Sequence, residues 1–512
     1  FPRRHLTTLK PMDSTTAPAT STRRETINVI VLLAAILLLN LVTAMTFPAV
    51  WQDEVMYTDP AANVVLGRGF TSSAWYVQSS NQYWAANAPL HELVLARWLK
   101  VFGLSPLAVR TINYVWFVLG TFLAWQFCVR TAVINRPRLR LLCVILLACG
   151  SGISFSYRSG RPDMICYFLA AATLCASTIR SFPMRYSVLM ALGFLYPWAG
   201  LPLLPFLVLA TGLALVFFGW KSALNGVCTG IGAALGLAGL YLFFRSHGVW
   251  DSFAASVQLH ASGKIAGVYG HAQWNVIPAL LIRDRSAPLL LLAAVVLMGW
   301  NWKHRDAAAI KTTAFAIATG LGIPLAMHFT GVFPIYYGWM AALPVTLALC
   351  HALSIQRTMT CGPKTAVSVL LIAAMIIGLP IRLITAAIVS SGTSYAESTR
   401  FVTDHLKSSD VAYVDYAAFY PATASAGKIY TLRYMEYAMT PEEKQSVNVL
   451  VISPSHFSTA TNYLPGNWIS EATFDGGIAT NRLPNFIAKK LEEGTTRAVH
   501  DPYHFTIYRK SM

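Results

Sequence analysis

An acidic pair, Asp53 and Glu54, follows the first long apolar segment of the chain by a few residues. The intervening residues 47–51 predict that the pair lies where this segment leaves a membrane. A carboxylate shielded there by protein and lipid is suited to accept a proton from a hydroxyl nucleophile. The alternative interpretation is a solvated interfacial pair or a cap on the following helix.

Two arginines and a carboxylate form a second candidate cluster, because Arg158, Arg161 and Asp163 lie within S-Y-R-S-G-R-P-D. Guanidinium groups offer a fork of donors that matches a lipid phosphate. Pro162 predicts a helix start, and a helix N-terminus could also face a phosphate. The alternative is snorkelling of the arginines to the interface with a local Arg–Asp pair.

Two long polar segments separate apolar runs, and we name them the first loop (residues 48–102) and the second loop (residues 245–285). The second loop is positive, and Lys264 and Arg283 are its candidates for binding a phosphate, against ordinary interfacial charge. The first loop is rich in rings, including Tyr57, that could stack on a sugar or mark an interface. A metal site there would require His91 to converge with Asp53 or Glu92.

The composition predicts a polytopic membrane protein. Apolar residues make up 55% of the 512 residues, charged residues 12%, and the mean hydropathy is +0.50. Soluble domains carry about 25% charged residues, so a soluble enzyme, a disordered chain and a fibrous repeat are excluded. No P-loop, G-x-S-x-G, H-E-x-x-H or dinucleotide fingerprint occurs, which leaves a nucleotide-driven activity unsupported.

The charge of +17 belongs to the apolar part, since residues 390–512 hold 11 Lys/Arg and 12 Asp/Glu. Positive loops on the cytoplasmic side and an anionic ligand both explain this excess. No long basic run is present, so nucleic acid is not an expected partner.

Apolar runs predict about eleven transmembrane helices between residues 27 and 389. The run 186–219 is longer than one crossing needs, and its prolines predict two passes. With two passes every predicted cytoplasmic loop carries Lys or Arg. We therefore predict a disordered cytoplasmic tail (1–26), a transmembrane domain (27–389) and a small α/β soluble domain outside the cytoplasm (390–512).

The chain resembles the GT-C superfamily of membrane glycosyltransferases, in the branch of protein O-mannosyltransferases and lipid A aminoarabinose transferases. Three stretches carry the resemblance: W-Q-D-E at 51–54, N-A-P-L-H-E-L-V-L-A-R-W-L-K-V-F-G at 87–103 with Arg110 beyond it, and R-S-G-R-P-D at 158–163. The chain departs from the family at Ala88, where a second proline is usual, and at His91, where an aromatic residue is common.

The resemblance implies an inverting glycosyltransferase whose donor is a sugar linked to a polyprenyl phosphate. Asp53 would deprotonate the acceptor hydroxyl, and Glu54 would position the acceptor. The leaving phosphate would be stabilised by one or more cations, namely Arg158, Arg161, Lys264 or Arg283. Tyr57, His91 and Asp163 would bind substrate. No metal or other cofactor is required in the nearest branch, although more distant relatives use a divalent metal.

The acceptor is left open as a protein, a lipid or a glycan. A non-catalytic glycosyltransferase-like scaffold subunit and a lipid or sugar transporter are the alternative functions, although no carboxylate stands in mid-span as a transporter would need. The absence of N-x-S/T sequons favours a bacterial inner membrane, with the N-terminus in the cytoplasm.

Overall fold

A computed structural model of the chain describes residues 22–46, 48–261, 284–329, 335–356, 359–389, 395–475 and 503–511. Most of the predicted N-terminal tail, and the candidate phosphate ligands Lys264 and Arg283, lie outside the described residues.

The α-helices of the described residues are, in chain order, α1 Arg23–Thr43, α2 Gln52–Val65, α3 Leu90–Phe102, α4 Pro106–Thr131, α5 Pro137–Cys149, α6 Ser151–Arg158, α7 Asp163–Ala176, α8 Phe182–Ala199, α9 Leu203–Phe218, α10 Trp220–Ser246, α11 Trp250–Ala261, α12 Ser286–Lys303, α13 Ala307–Phe329, α14 Trp339–Ile355, α15 Cys361–Ile376, α16 Leu379–Val389, α17 Tyr395–His405, α18 Phe419–Ser425, α19 Leu432–Tyr437, α20 Pro441–Ser446 and α21 Phe457–Tyr463.

The apolar helices make this an integral membrane protein. Six candidate spans in the described part of the chain are long and apolar enough to cross a membrane: α1, α4, α10, α12, α13 and the α15–α16 stretch. The pair α5 and α6, bent by 56°, would be a seventh, and α7, α9 and α14 are shorter apolar helices. The count of eleven spans and the orientation stay predictions.

The long apolar run 186–219 forms two helices, as its prolines predict. Helix α8 ends at Ala199, and α9 begins at Leu203 after Gly200 and Pro202. Both helices pack against α10. The contact is close because Gly232 and Gly236 of α10 face backbone carbonyls of α8, where an added Cβ would approach the oxygen within 2.0 and 2.2 Å.

Helix α1 begins at Arg23, four residues before the predicted start of the first span, and Thr22 caps it. Glu25 lies inside the protein rather than in a disordered tail. Its carboxylate accepts hydrogen bonds from Arg140 at 2.5 and 2.6 Å and from the indole of Trp125 at 3.0 Å. This buried contact ties the start of α1 to α4 and α5.

We name the C-terminal segment the tail (residues 395–511). Its described residues form a five-stranded sheet. The strands are β1 Val411–Val414, β2 Lys428–Tyr430, β3 Val449–Ile452, β4 Trp468–Asp475 and β5 His504–Lys510. Their order is β2-β1-β3-β5-β4; the first three are parallel, and β5 is antiparallel to both of its neighbours. The sequence of this segment predicts strands at the apolar runs 411–416, 447–453 and 504–509, where β1, β3 and β5 lie; β2 and β4 were not predicted.

The tail and the first loop share one hydrophobic core, in which Trp75 and Trp84 are buried together with Phe419 and Val449. Hydrogen bonds reinforce this contact: the hydroxyl of Ser80 donates to Glu443 at 2.7 Å. The tail is therefore packed onto the segment that carries Asp53 and Glu54.

Candidate active site

Helix α2 directs Asp53 and Glu54 to different surroundings. Its start is held by the indole of Trp51, which donates to the backbone oxygen of Ser159 at 2.8 Å. Neighbouring residues of an α-helix point about 100° apart. Accordingly, the side chain of Asp53 is 20% exposed, whereas that of Glu54 is fully buried.

Asp53 belongs to an ion-pair cluster with Arg161 and Asp163. The guanidinium of Arg161 donates through Nη1 to Oδ2 of Asp53, and through Nε to Oδ2 of Asp163 at 2.8 Å. Two rings cover the same guanidinium: its Cζ lies 3.4 Å from the ring centroid of Tyr336 and 5.0 Å from that of Tyr57. Within the described residues Oδ1 of Asp53 makes no hydrogen bond, so this oxygen is available to a ligand.

This geometry differs from the predicted role of Arg161 as a phosphate ligand. Two carboxylates already neutralise its charge, and both would repel a phosphate at that place. Arg161 instead fixes the orientation of the Asp53 carboxylate. Asp163, predicted to bind substrate, is buried and holds Arg161 from the other side.

Glu54 is closed off from solvent, which does not fit its predicted role of positioning the acceptor. Its Oε2 accepts from Arg110 of α4 at 2.6 and 3.1 Å, and its Oε1 accepts from the hydroxyl of Tyr420 in the tail at 2.9 Å. Burial raises the pKa of Glu54, and the charge of Arg110 opposes this shift. The carboxyl links the first loop, a membrane helix and the tail.

The turn between α6 and α7 needs a glycine between the two candidate arginines. Gly160 has a φ of +69°, a conformation that other residues rarely adopt. A Cβ at this position would lie 2.5 Å from Cγ of Glu54. The close approach of this turn to α2 is what brings Arg161 to Asp53.

Arg158 lies on the opposite side of the same turn. Its guanidinium donates to the side-chain oxygens of Asn40 and Thr43, both on α1. A second buried arginine, Arg382 of α16, is close enough for the two charges to interact, as is the carboxylate of Asp284. Arg382 was not among the predicted site residues, although an arginine within the apolar run 364–390 is a usable signal.

Polar groups of α6 surround Arg382. Its Nε donates to Oγ of Ser154 at 3.2 Å and its Nη2 to the backbone oxygen of Ser151 at 3.4 Å. Its Cζ lies 5.2 Å from the ring centroid of Phe155, and that ring makes an edge contact with Trp51 at 5.8 Å. Arg158 and Arg382 therefore form a buried cationic pair near the start of α2.

Tyr57 and His91 lie beside the Asp53 cluster. The hydroxyl of Tyr57 accepts from the amide of Asn87 at 2.9 Å, which fixes the loop before α3. His91 is fully buried, and burial together with the charge of Arg161 lowers its pKa to about 3. Among the described residues no group of three His, Cys, Asp or Glu side chains is arranged to hold a metal ion.

No protein-family model matches the chain, and no curated protein is similar in sequence. Solved structures are similar in fold. ArnT from Cupriavidus metallidurans bound to undecaprenyl phosphate superposes with a TM-score of 0.57 at 12% identity, covering 95% of this chain and 98% of that one. The apo state of the same ArnT gives 0.56 at 14% identity, covering 94% and 98%. An Archaeoglobus fulgidus oligosaccharyltransferase tethered to an acceptor peptide gives 0.47 at 11% identity, covering 95% and 76%.

These neighbours are GT-C glycosyltransferases, and the match to ArnT extends over nearly the whole of both chains. The resemblance read from the sequence is thus confirmed at the level of the fold. Identities of 12% and 14% establish the fold alone.

Proposed function

We propose that this protein is an inverting glycosyltransferase that moves a sugar from a polyprenyl-phosphate-linked donor to an acceptor hydroxyl at the outer face of a membrane. The observation that carries the proposal is the setting of Asp53, a partly exposed carboxylate. Arg161 holds its Oδ2, and its Oδ1 has no hydrogen-bond partner among the described residues. The ArnT-like fold supports this class, and undecaprenyl phosphate is the ligand bound to that neighbour.

In the proposed reaction the acceptor hydroxyl gives its proton to Oδ1 of Asp53 while its oxygen attacks the anomeric carbon of the sugar. The bond between that carbon and the phosphate oxygen breaks on the opposite face, so the configuration inverts. Polyprenyl phosphate leaves with the bonding electron pair, and the proton leaves Asp53 when the product departs. These steps use only side chains of this chain.

The cationic pair of Arg158 and Arg382 is the proposed site for the donor phosphate. Negative charge grows on the leaving phosphate, and fixed guanidinium donors stabilise such charge. A phosphate there would place negative charge against two guanidinium groups, one of which also interacts with the carboxylate of Asp284. Lys264 and Arg283 of the second loop remain predicted phosphate ligands.

Glu54, Arg110 and Tyr420 have a positioning role in this proposal. They lie too deep to touch the acceptor, and they hold α2 between the membrane helices and the tail. The acceptor, which is a protein, a lipid or a glycan, would approach Asp53 from its exposed side. We propose a bacterial inner membrane as the location, with the tail outside the cytoplasm.

The test is a turnover assay with purified protein in lipid nanodiscs. Undecaprenyl-phosphate-linked sugars are supplied with an extract of acceptor lipids, glycans and proteins, and the release of undecaprenyl phosphate is followed by mass spectrometry. The proposal predicts release that depends on the extract and falls in Arg382→Gln. A wild-type protein that releases no undecaprenyl phosphate, yet copurifies with a catalytic subunit, would support the scaffold alternative.

A further inference from the structure

The aromatic ring of Tyr336, in the short turn before α14, covers one face of the Arg161 guanidinium. Cζ of Arg161 lies 3.4 Å from the centroid of that ring, whereas the other cation–ring contacts of the described residues are 4.5 Å or longer. The side chain of Arg161 is only 4% exposed. A cation–π contact is strongest where it is shielded from water, so this ring holds Arg161 firmly.

The ring restrains Arg161 in a direction that its ion pairs leave free. The N–H groups of a guanidinium lie in one plane, and through them Arg161 donates to Asp53 and Asp163. These bonds resist movement within the plane but resist tilting out of it only weakly. The ring of Tyr336 lies against the face of the guanidinium and blocks the tilt on its side. Because Asp53 is bonded to the same guanidinium, the ring also limits the orientations of the Asp53 carboxylate.

Tyr336 is itself fixed by α6. The hydroxyl of Ser156 donates to the backbone oxygen of Tyr336 at 2.7 Å. The ring of Tyr336 stacks on that of Phe155, with the centroids 6.4 Å apart and the planes inclined by 22°. Phe155 in turn contacts Trp51 and Arg382. The ring over Arg161 therefore has a rigid support, which also carries contacts to the start of α2 and to the proposed phosphate site.

We propose that Tyr336 is a positioning residue for the proposed base Asp53 and that it acts through Arg161. The inference rests on the proposed glycosyltransferase function and adds to it a residue from a distant part of the chain. The face of the aromatic ring performs this role, and the hydroxyl of Tyr336 is not needed for it.

The experiment measures transfer kinetics of Tyr336→Leu and Tyr336→Phe with the undecaprenyl-phosphate-linked sugar and the acceptor extract that the wild type uses. Tyr336→Leu removes the ring, so kcat should fall by about 10–100-fold while the donor KM stays within about twofold of the wild-type value. Tyr336→Phe keeps a ring over the guanidinium and should retain most of the wild-type kcat.

The matched control is Tyr186→Leu. The ring of Tyr186 lies 4.9 Å from Cζ of Arg185, and its hydroxyl accepts a hydrogen bond from the same guanidinium at 3.1 Å. This variant also removes a tyrosine from an arginine, but on α8 and outside the Asp53 cluster, so kcat should be unchanged.

Two further measurements separate positioning from folding and from donor binding. Tyr336 is half-buried, and Arg161 keeps both carboxylates in Tyr336→Leu, so the melting temperature should stay close to that of the wild type. The affinity for undecaprenyl phosphate should also be unchanged, because the ring is not assigned to the phosphate. A variant that merely unfolds would lose kcat and melting temperature together.

Four results would overturn the role of Tyr336: an unchanged kcat in Tyr336→Leu, a donor KM that rises in place of the fall in kcat, a melting temperature that falls with kcat, or a Tyr336→Phe variant as slow as Tyr336→Leu. Each of these leaves the proposed function standing if the wild type transfers sugar. A wild type that releases no undecaprenyl phosphate would overturn the proposed function and the role of Tyr336 together.

Discussion

Replacing Glu54 by glutamine is expected to weaken the attachment of the tail to the first loop. The change leaves the charge of Arg110 buried without an anion, although the hydroxyl of Tyr420 can still donate to the amide oxygen. Removing one partner of a buried ion pair lowers the free energy of unfolding by about 3–5 kcal/mol. We expect a loss of that size, because both side chains are almost completely buried.

The loss can be converted into a melting temperature. The first loop and the tail share a hydrophobic core and should unfold together. For a unit of 150–250 residues, each 1 kcal/mol lowers the melting temperature by roughly 2–4 °C. Glu54→Gln should therefore melt roughly 6–20 °C lower, as followed by the fluorescence of the buried Trp75 and Trp84.

Two further variants make this prediction specific. The double variant Glu54→Leu/Arg110→Met removes both charges and should recover most of the lost stability. Glu471→Gln breaks the ion pair with Arg509 at a partly exposed site and should cost less than about 1 kcal/mol. An unchanged melting temperature in Glu54→Gln, or a double variant as unstable as the single one, would refute the reasoning.

Three other predictions test separate parts of the structure. Burial raises the pKa of Asp59 to about 6, so the folded protein holds a proton that the unfolded chain releases. The free energy of unfolding should therefore fall as pH rises from about 4 to 6. In thermal melts at several pH values, Asp59→Asn should no longer show this fall. Gly232→Ala should destabilise the packing of α10 on α8, whereas Gly230→Ala, which meets nothing within 4 Å, should not, as thermal melts would show. Arg382→Gln should bind undecaprenyl phosphate at least tenfold more weakly in titrations.

Much of this arrangement was predictable from the sequence, because local patterns encode it. Composition and apolar runs gave the membrane class, and the prolines of run 186–219 gave the break between α8 and α9. Asp53 and Arg161 are 108 residues apart, yet both stand at the end of an apolar run. Because the predicted topology puts both ends on the same side of the membrane, it predicts that the motif with Asp53 and the motif with Arg161 lie near each other.

The remaining features depend on tertiary contacts that no local pattern records. Glu54 looked equivalent to Asp53, but helix geometry turns it away towards Arg110, and Tyr420 reaches it from 366 residues away. Tyr336 covers Arg161 from a short turn before α14. The complete burial of Glu92 depends on elements distant in the sequence, so only a structure can reveal it.

The most direct test of the central claim is the transfer rate of Asp53→Asn, measured with a donor that the wild type uses. Asparagine keeps an oxygen for Arg161 but cannot accept the proton, so the rate should fall by about 10²–10⁴ or more. Binding of undecaprenyl phosphate should be unchanged, and the control Asp251→Asn, on the exposed side of α11, should transfer normally. An Asp53→Asn variant whose transfer rate stays within a few-fold of the wild-type rate would contradict the assignment of Asp53 as the catalytic base.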